Sequence, residues 1–190
     1  MESPAGSGRT VGQFALVSYI PGPLSAFLDD LRRDLTPGCK PRAHVTVLPP
    51  RPLDTSVDLP ALIQSLRDES RLSNPIEISL GEVEVFPVTD VIYIGIARGE
   101  HELHALHENM NFGQLEYDGP YPYHPHVTIA QNLRPDQVKE LAEQARRKWA
   151  AYTGPRRFTV DCLSFVQNIA SNVWLDIEKM PMAAPVGAVK

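Results

Sequence analysis

The chain of 190 residues has 43% hydrophobic and 22% charged residues and a formal net charge of -5 at pH 7. It is long enough to bury a core in one domain or two fused lobes, and too apolar to be disordered throughout. The acidic balance argues against a protein that coats extended duplex nucleic acid, which takes a basic face. No apolar run reaches the roughly 20 residues that cross a bilayer.

Residues 1–11 are small and polar with Arg9 as the first base, unlike a secretory signal, and read as a flexible arm of a cytoplasmic protein. Phe14 to Ile20 mixes β-branched, aromatic and apolar residues, a strand that Pro21-Gly22-Pro23 ends. Leu24, Phe27, Leu28, Leu31 and Leu35 then recur at three and four, an amphipathic helix closed by Pro37-Gly38. Its Asp29-Asp30 and Arg32-Arg33 read as a solvated face. Ala43 to Leu48 is a strand stopped by Pro49-Pro50, and Leu59 to Leu66 a helix with Asp58 as its cap. Ile76 to Phe86 and Val91 to Ala97 alternate as two strands, and Glu100 to Phe112 turns Leu103, Leu106 and Met110 inward as a helix.

After a proline-rich loop the pattern returns. Tyr123 to Ala130 is a strand and Pro135 to Trp149 a helix; Phe158 to Val166 and Val173 to Ile177 are strands around a turn at Asn168 to Asn172. The order describes an α+β chain with an internal duplication, each half giving one strand, one helix and a strand pair. The expected organisation is a flexible arm at 1–11, a single domain at 12–180 and a flexible tail at 181–190. Cys39 and Cys162 lie far apart, outside any metal-ligand spacing, and are expected to be free thiols.

The duplicated strands carry the chemistry. His44-Val45-Thr46-Val47 and His126-Val127-Thr128-Ile129 are nearly the same tetrapeptide. Side chains two apart on a strand share a face, so His44 points with Thr46 and His126 with Thr128, while the valines and Ile129 turn to the core. Two such strands facing one another surround a small anion with two imidazoles and two hydroxyls. The hydroxyls can donate to phosphate oxygens, and the imidazoles can exchange protons near neutrality. One His-x-Thr on a strand is a weak signal. Two, in matching places of a duplicated pattern, are a specific one.

On these two motifs, with Pro125 directly before the second, the sequence from about Phe14 to about Ile177 resembles the two-histidine (2H) phosphoesterase superfamily. Within it the resemblance is to RNA 2',3'-cyclic phosphodiesterases and 2'-5' RNA ligase-like proteins. It implies a bilobal α+β fold in which two antiparallel β-sheets line a central cleft and helices pack outside. It implies no cofactor and no metal, with His44 and His126 as the acid–base pair and Thr46 and Thr128 as phosphate ligands. By the same likeness alone His126 would activate water and His44 serve as acid, an order that the near-symmetric pair of motifs leaves open. The implied activity opens a 2',3'-cyclic phosphate to a 2'-phosphate, with reverse 2'-5' ligation as a related capacity. The implied partner is a small nucleotide or an RNA terminus, and the chain is expected to be a monomer. The alternative is a non-catalytic nucleotide- or RNA-end-binding module that retains the cleft.

Other residues have two readings. Tyr123, His124 and Arg42 are candidate substrate contacts, and Tyr121 could stack on a base. Arg51, Arg156 and Arg157 join Arg42 as candidates for steering an anion. Trp174 reads as core. His101, His104 and His107 step by three, not in the H-E-x-x-H spacing of zinc hydrolases, so a solvated helix face is expected there.

Overall fold

The computed structural model describes residues 12–40, 42–171 and 173–184. Eight strands and four helices follow in chain order: β1 Phe14–Tyr19, α1 Gly22–Leu35, β2 His44–Arg51, α2 Leu59–Leu72, β3 Ile76–Val85, β4 Ile92–Arg98, α3 Glu100–Met110, β5 His126–Ala130, α4 Pro135–Ala151, β6 Arg157–Val160, β7 Cys162–Ala170 and β8 Val173–Pro181. A short 3-10 turn at Gly113–Leu115 lies between α3 and β5.

Each helix forms where its apolar stripe and its breakers agree. Pro21 and Pro23 open α1, and Leu24, Leu28, Leu31 and Leu35 are its buried edge. The Asp58 carboxylate accepts from the Ala61 amide at 3.1 Å, capping α2. α3 turns in at Gly99, whose φ is +94°; a Cβ there would meet the Ile78 side chain at 2.5 Å and the Glu77 carbonyl at 2.8 Å. Only glycine combines that backbone with that approach.

The strands form two antiparallel sheets, ordered β2-β1-β7-β8 and β5-β4-β3-β6. The α+β expectation with two antiparallel sheets holds. The strand pair read from each half builds the sheet of the other half's motif. β3–β4 follow the first motif and join β5, while β7–β8 follow the second and join the sheet of β2. The two motif strands, each at the outer edge of its sheet, come against one another at the join. Val45, Val47, Val127 and Ile129 fill one continuous core beneath it, with Leu28, Leu103, Ile94 and Trp149.

Several boundaries differ from expectation, α2 running past Leu66 to Leu72 and β8 past Ile177 to Pro181. The single strand expected over Phe158 to Val166 is two: Arg157–Val160 pairs with β3, and Cys162–Ala170 pairs with β1, so the chain changes sheets at Asp161. β2 runs through Pro49-Pro50 to Arg51, which an edge strand tolerates because proline's missing N–H costs no ladder bond on its open side. Tyr123 to Pro125 precede β5 without joining it.

Residues 1–11, expected as an arm, lie outside the described residues. Of the tail expected from residue 181, Pro181 closes β8 and Met182 is buried in the core, while 185–190 lie outside the described residues. Cys39 and Cys162 are free thiols. Among the described residues no helix is long and apolar enough to cross a membrane.

Candidate active site

A cleft of about 1430 Å³ opens between the sheets, and His44, Thr46, His126 and Thr128 all line it. The inward turn of these four follows from strand alternation, since Val45, Val47, Val127 and Ile129 are taken by the core. The two histidines are held by the same device. His44 Nδ1–H donates to the Arg42 carbonyl at 2.6 Å, and His126 Nδ1–H donates to the His124 carbonyl at 2.7 Å. In each ring the proton of the neutral form is thereby fixed on Nδ1, leaving Nε2 to meet a ligand. The Thr128 hydroxyl donates to His126 Nε2 at 3.2 Å.

Both rings are held below the ordinary histidine range. Burial pushes His44 down to about 4, against the pull of its bond to the Arg42 carbonyl, and the charges of Arg32, His126 and Arg42 push further in the same direction. Burial also lowers His126, and the neighbouring His124 adds to the effect. The cleft by itself therefore holds two neutral imidazoles at neutral pH, close enough that charge on one disfavours charge on the other.

This has a consequence for stability. The unfolded chain protonates a histidine near 6.5, above the folded His44. Between those values the unfolded state binds the extra proton, so this group costs nothing above pH 6.5 and destabilises progressively as pH falls toward about 4. The Tm of the ligand-free protein should fall across that window, and His44→Gln should fall less steeply. Parallel Tm curves for the two proteins would contradict this.

Around the motifs lie aromatic walls. On the β2 side, Ala15, Val17 and Val166 form a small apolar cluster with Tyr19 and Trp174. Trp174, expected in the core, lines the cleft instead, because β8 presents it on the same face as Asp176. The Tyr19 hydroxyl donates to Asp176 at 2.6 Å, Arg42 bonds the other oxygen of Asp176 at 2.8 Å, and the Arg42 guanidinium lies 3.6 Å over the Tyr19 ring. On the β5 side, Phe86 and Tyr93 stack at 4.0 Å and receive the rings of His124 and His126 edge-on.

The candidate contacts differ in their surroundings. Arg42, Tyr123 and His124 all line the cleft, and so does Tyr121, which is exposed. The Tyr123 hydroxyl donates to the Thr46 carbonyl at 2.9 Å, so it braces the first motif strand from behind its threonine. Arg51 is buried and bonds Asn111, the Leu115 carbonyl and the Pro49 carbonyl, tying the end of β2 to the segment after α3. Arg156 lies 4.3 Å over Trp149 and donates to its carbonyl, and neither it nor Arg157 lines the cleft.

Of the three α3 histidines expected on a solvated face, His101 is exposed, whereas His104 and His107 are half-buried. His107 stacks on Tyr123 at 3.9 Å and donates from Nδ1 to the Val47 carbonyl at 2.7 Å, and His104 meets the same ring edge-on. Among the described residues no three His, Cys, Asp or Glu side chains gather into a metal-holding group. Sequence reasoning passed over Tyr19, Asp176 and Phe86 and assigned His107 to solvent. Tyr19 had a signal, standing two and four residues beyond Val17 and Ala15 on one strand face. Asp176 reaches the site by tertiary contact and had none, whereas His107 stands four residues after Leu103 and three before Met110 on the buried edge of α3.

Comparison with known proteins adds the family. The sequence model of the 2'-5' RNA ligase superfamily matches residues 20–172. A Bacillus licheniformis protein described as a candidate phosphoesterase is 32% identical over 103 residues, 53% of this chain and 60% of its own length. A similarly described protein of Bacillus cytotoxicus is 28% identical over 138 residues, 69% of this chain and 77% of its own. Among solved structures, TT0787 of Thermus thermophilus superposes with a TM-score of 0.66 at 16% identity, covering 91% of this chain and 99% of that one. LigT of E. coli complexed with 3'-AMP gives a TM-score of 0.60 at 12% identity, covering 92% and 100%. At such identities the structural likeness speaks for the fold.

Proposed function

We propose, from the premise that this chain belongs to the 2'-5' RNA ligase superfamily, that it hydrolyses a cyclic or terminal ribonucleotide phosphodiester, a 2',3'-cyclic phosphate being opened to the 2'-phosphate. The observation that carries this reading is the matched pair of imidazoles. Each is locked by a bond from Nδ1 to the carbonyl two residues back, and each offers Nε2 to one cleft. That E. coli LigT has been crystallised with 3'-AMP supports a small nucleotide as ligand of this fold.

In this scheme the phosphate sits between the motifs and accepts hydrogen bonds from the Thr46 and Thr128 hydroxyls. His126 Nε2 takes a proton from water as the water oxygen bonds to phosphorus. The bond from phosphorus to O3' breaks, and His44 Nε2–H gives its proton to O3'. The product is a 2'-phosphomonoester with a free 3'-hydroxyl, and the two histidines exchange protonation states. Because the cleft by itself holds His44 neutral, its proton arrives with the substrate: an anion between the rings favours the imidazolium. The scheme draws on no metal or cofactor.

The test is a panel of nucleoside 2',3'-cyclic phosphates, 2'-5' dinucleotides and linear 3'-5' dinucleotides, with phosphorus NMR locating the phosphate in each product. Conversion of cyclic phosphate to the 2'-phosphate supports the reading, and no turnover of any member contradicts it. Thr46→Val and Thr128→Val should each raise KM by roughly tenfold to a hundredfold, the scale of one hydrogen bond to a charged group. Steady-state kinetics on the best substrate checks this.

A further inference from the structure

The last turn of α1 holds a cation that nothing in the mechanism above uses. Arg32 lies on the core-facing stripe with Leu28, Leu31 and Leu35, not on the solvated face expected from the charge pattern, and is 4% exposed. Among the described residues its Nε has no hydrogen-bond partner and its guanidinium meets no carboxylate within ion-pair distance. Asp29, one turn earlier on the helix, is engaged by the Ala43 amide at 2.7 Å, and Asp176 across the cleft is held by Arg42 and Tyr19. Arg33 has its own partner in Asp30 and is solvated.

A buried guanidinium with donors unmet is costly, and native proteins leave few such groups. The negative end of α1 offsets part of the charge but supplies no acceptor to Nε. Arg32 lines the same cleft as His44, and Lys40 and Arg42 line it too. At about 1430 Å³ the cleft exceeds the roughly 300–1,000 Å³ of an ordinary small-molecule pocket, so it has room beyond one phosphate and one nucleoside.

We infer that Arg32, assisted by Lys40, forms a second anion subsite beside the first motif, and that the substrate carries a second phosphate seated there while the motifs hold the reacting one. The inference rests on the phosphodiesterase reading for the identity of the first phosphate. The guanidinium fork suits a phosphate's paired oxygens. An anion on Arg32 also removes one of the charges that disfavour the imidazolium of His44, so the second phosphate would help the first histidine hold the proton it must give. Two sources share this chemistry: a terminal phosphate on the same nucleotide, and the neighbouring phosphodiester of a longer strand.

The experiment measures binding by calorimetry, so that it does not depend on turnover. The ligands are adenosine 2'-monophosphate, adenosine 2',5'-bisphosphate and an ApA dinucleotide ending in a 2'-phosphate, each against wild type, Arg32→Met and Arg32→Lys. Wild type should prefer at least one two-phosphate ligand to the monophosphate by roughly tenfold to a hundredfold, the worth of a hydrogen bond to a charged group. Arg32→Met should erase that preference, and Arg32→Lys should keep part of it. Preference for the bisphosphate identifies a terminal phosphate, and preference for the dinucleotide a strand.

A wild type without preference, or a preference that survives Arg32→Met, overturns the subsite. If the bisphosphate binds through Arg32 while the monophosphate does not bind at all, the subsite stands and the phosphodiesterase reading falls. If no ligand binds, both fall. Without ligand, Arg32→Met should melt higher than wild type, because an uncompensated buried charge has been removed. A lower Tm would show that Arg32 already has its counterpart within the fold, and would also overturn the proposal.

Discussion

Replacing His44 or His126 with Ala should lower kcat on a 2',3'-cyclic nucleotide by roughly 10²–10⁴, the usual contribution of a general acid or base. KM should move little, because Thr46 and Thr128 remain in the same cleft to hold the phosphate. The double variant should lose much less than the product of the two single losses, since a proton taken by one ring is of use only while the other gives one. Wild type should show a bell-shaped pH–rate profile, one limb for the ring that must be neutral and one for the ring that must be charged. Added EDTA should leave its rate intact.

The two variants should part company on one substrate. A phosphodiester with a p-nitrophenolate leaving group needs no proton to depart, so it should restore most of the rate to whichever variant has lost the acid. With His44 as acid, His44→Ala is rescued and His126→Ala is not. Rescue of His126→Ala alone would exchange the two roles. Wild-type rates in both single variants would remove the acid–base assignment altogether.

The largest expected effect on stability lies away from the cleft. Trp149 is 1% exposed near the end of α4. Its Nε1–H donates to the Gly81 carbonyl at 2.9 Å, Phe27 of α1 and Tyr152 pack around it, and the Arg156 guanidinium covers its ring. One side chain thus joins α4, β3 and α1. Trp149→Ala removes the packing and leaves a cavity, which should cost about 3–5 kcal/mol. Against a domain stability of about 5–15 kcal/mol that is a large share.

Trp149→Phe keeps much of the ring and loses the bond to Gly81, and should cost less. Urea unfolding of the two variants measures both. Trp149 does not line the cleft, so the folded fraction of either variant should bind phosphate ligands as wild type does. A loss below about 1 kcal/mol for Trp149→Ala would contradict the packing account.

What the sequence revealed was what local geometry determines. His44 with Thr46, and His126 with Thr128, are legible because two residues along a strand is a fixed direction and the tetrapeptide occurs twice. The helices were legible from their stripes and their prolines. The change of sheet at Asp161 was not, because Phe158, Val160 and Leu163 are all buried and hydrophobic pattern does not say against which sheet a residue is buried. The Tyr19–Asp176–Arg42 cluster joins residues far apart in the chain, and no periodicity reports such a meeting.

Arg32 shows a conflict between two local signals. The run Asp29-Asp30-Leu31-Arg32-Arg33 looks like a solvated face by composition. By helical geometry Arg32 lies one turn from Leu28 and under one turn from Leu35, on the buried edge. Position on the helix outweighed charge. The same holds for His107, which the three-residue spacing assigned to solvent and the helix turns toward Tyr123.

The most direct measurement is the structure of the complex with a nucleoside 2'-monophosphate. One phosphate should have oxygens within about 3 Å of both His44 Nε2 and His126 Nε2, and of the Thr46 and Thr128 hydroxyls. A phosphate bound elsewhere in the cleft, touching one imidazole or neither, would contradict it.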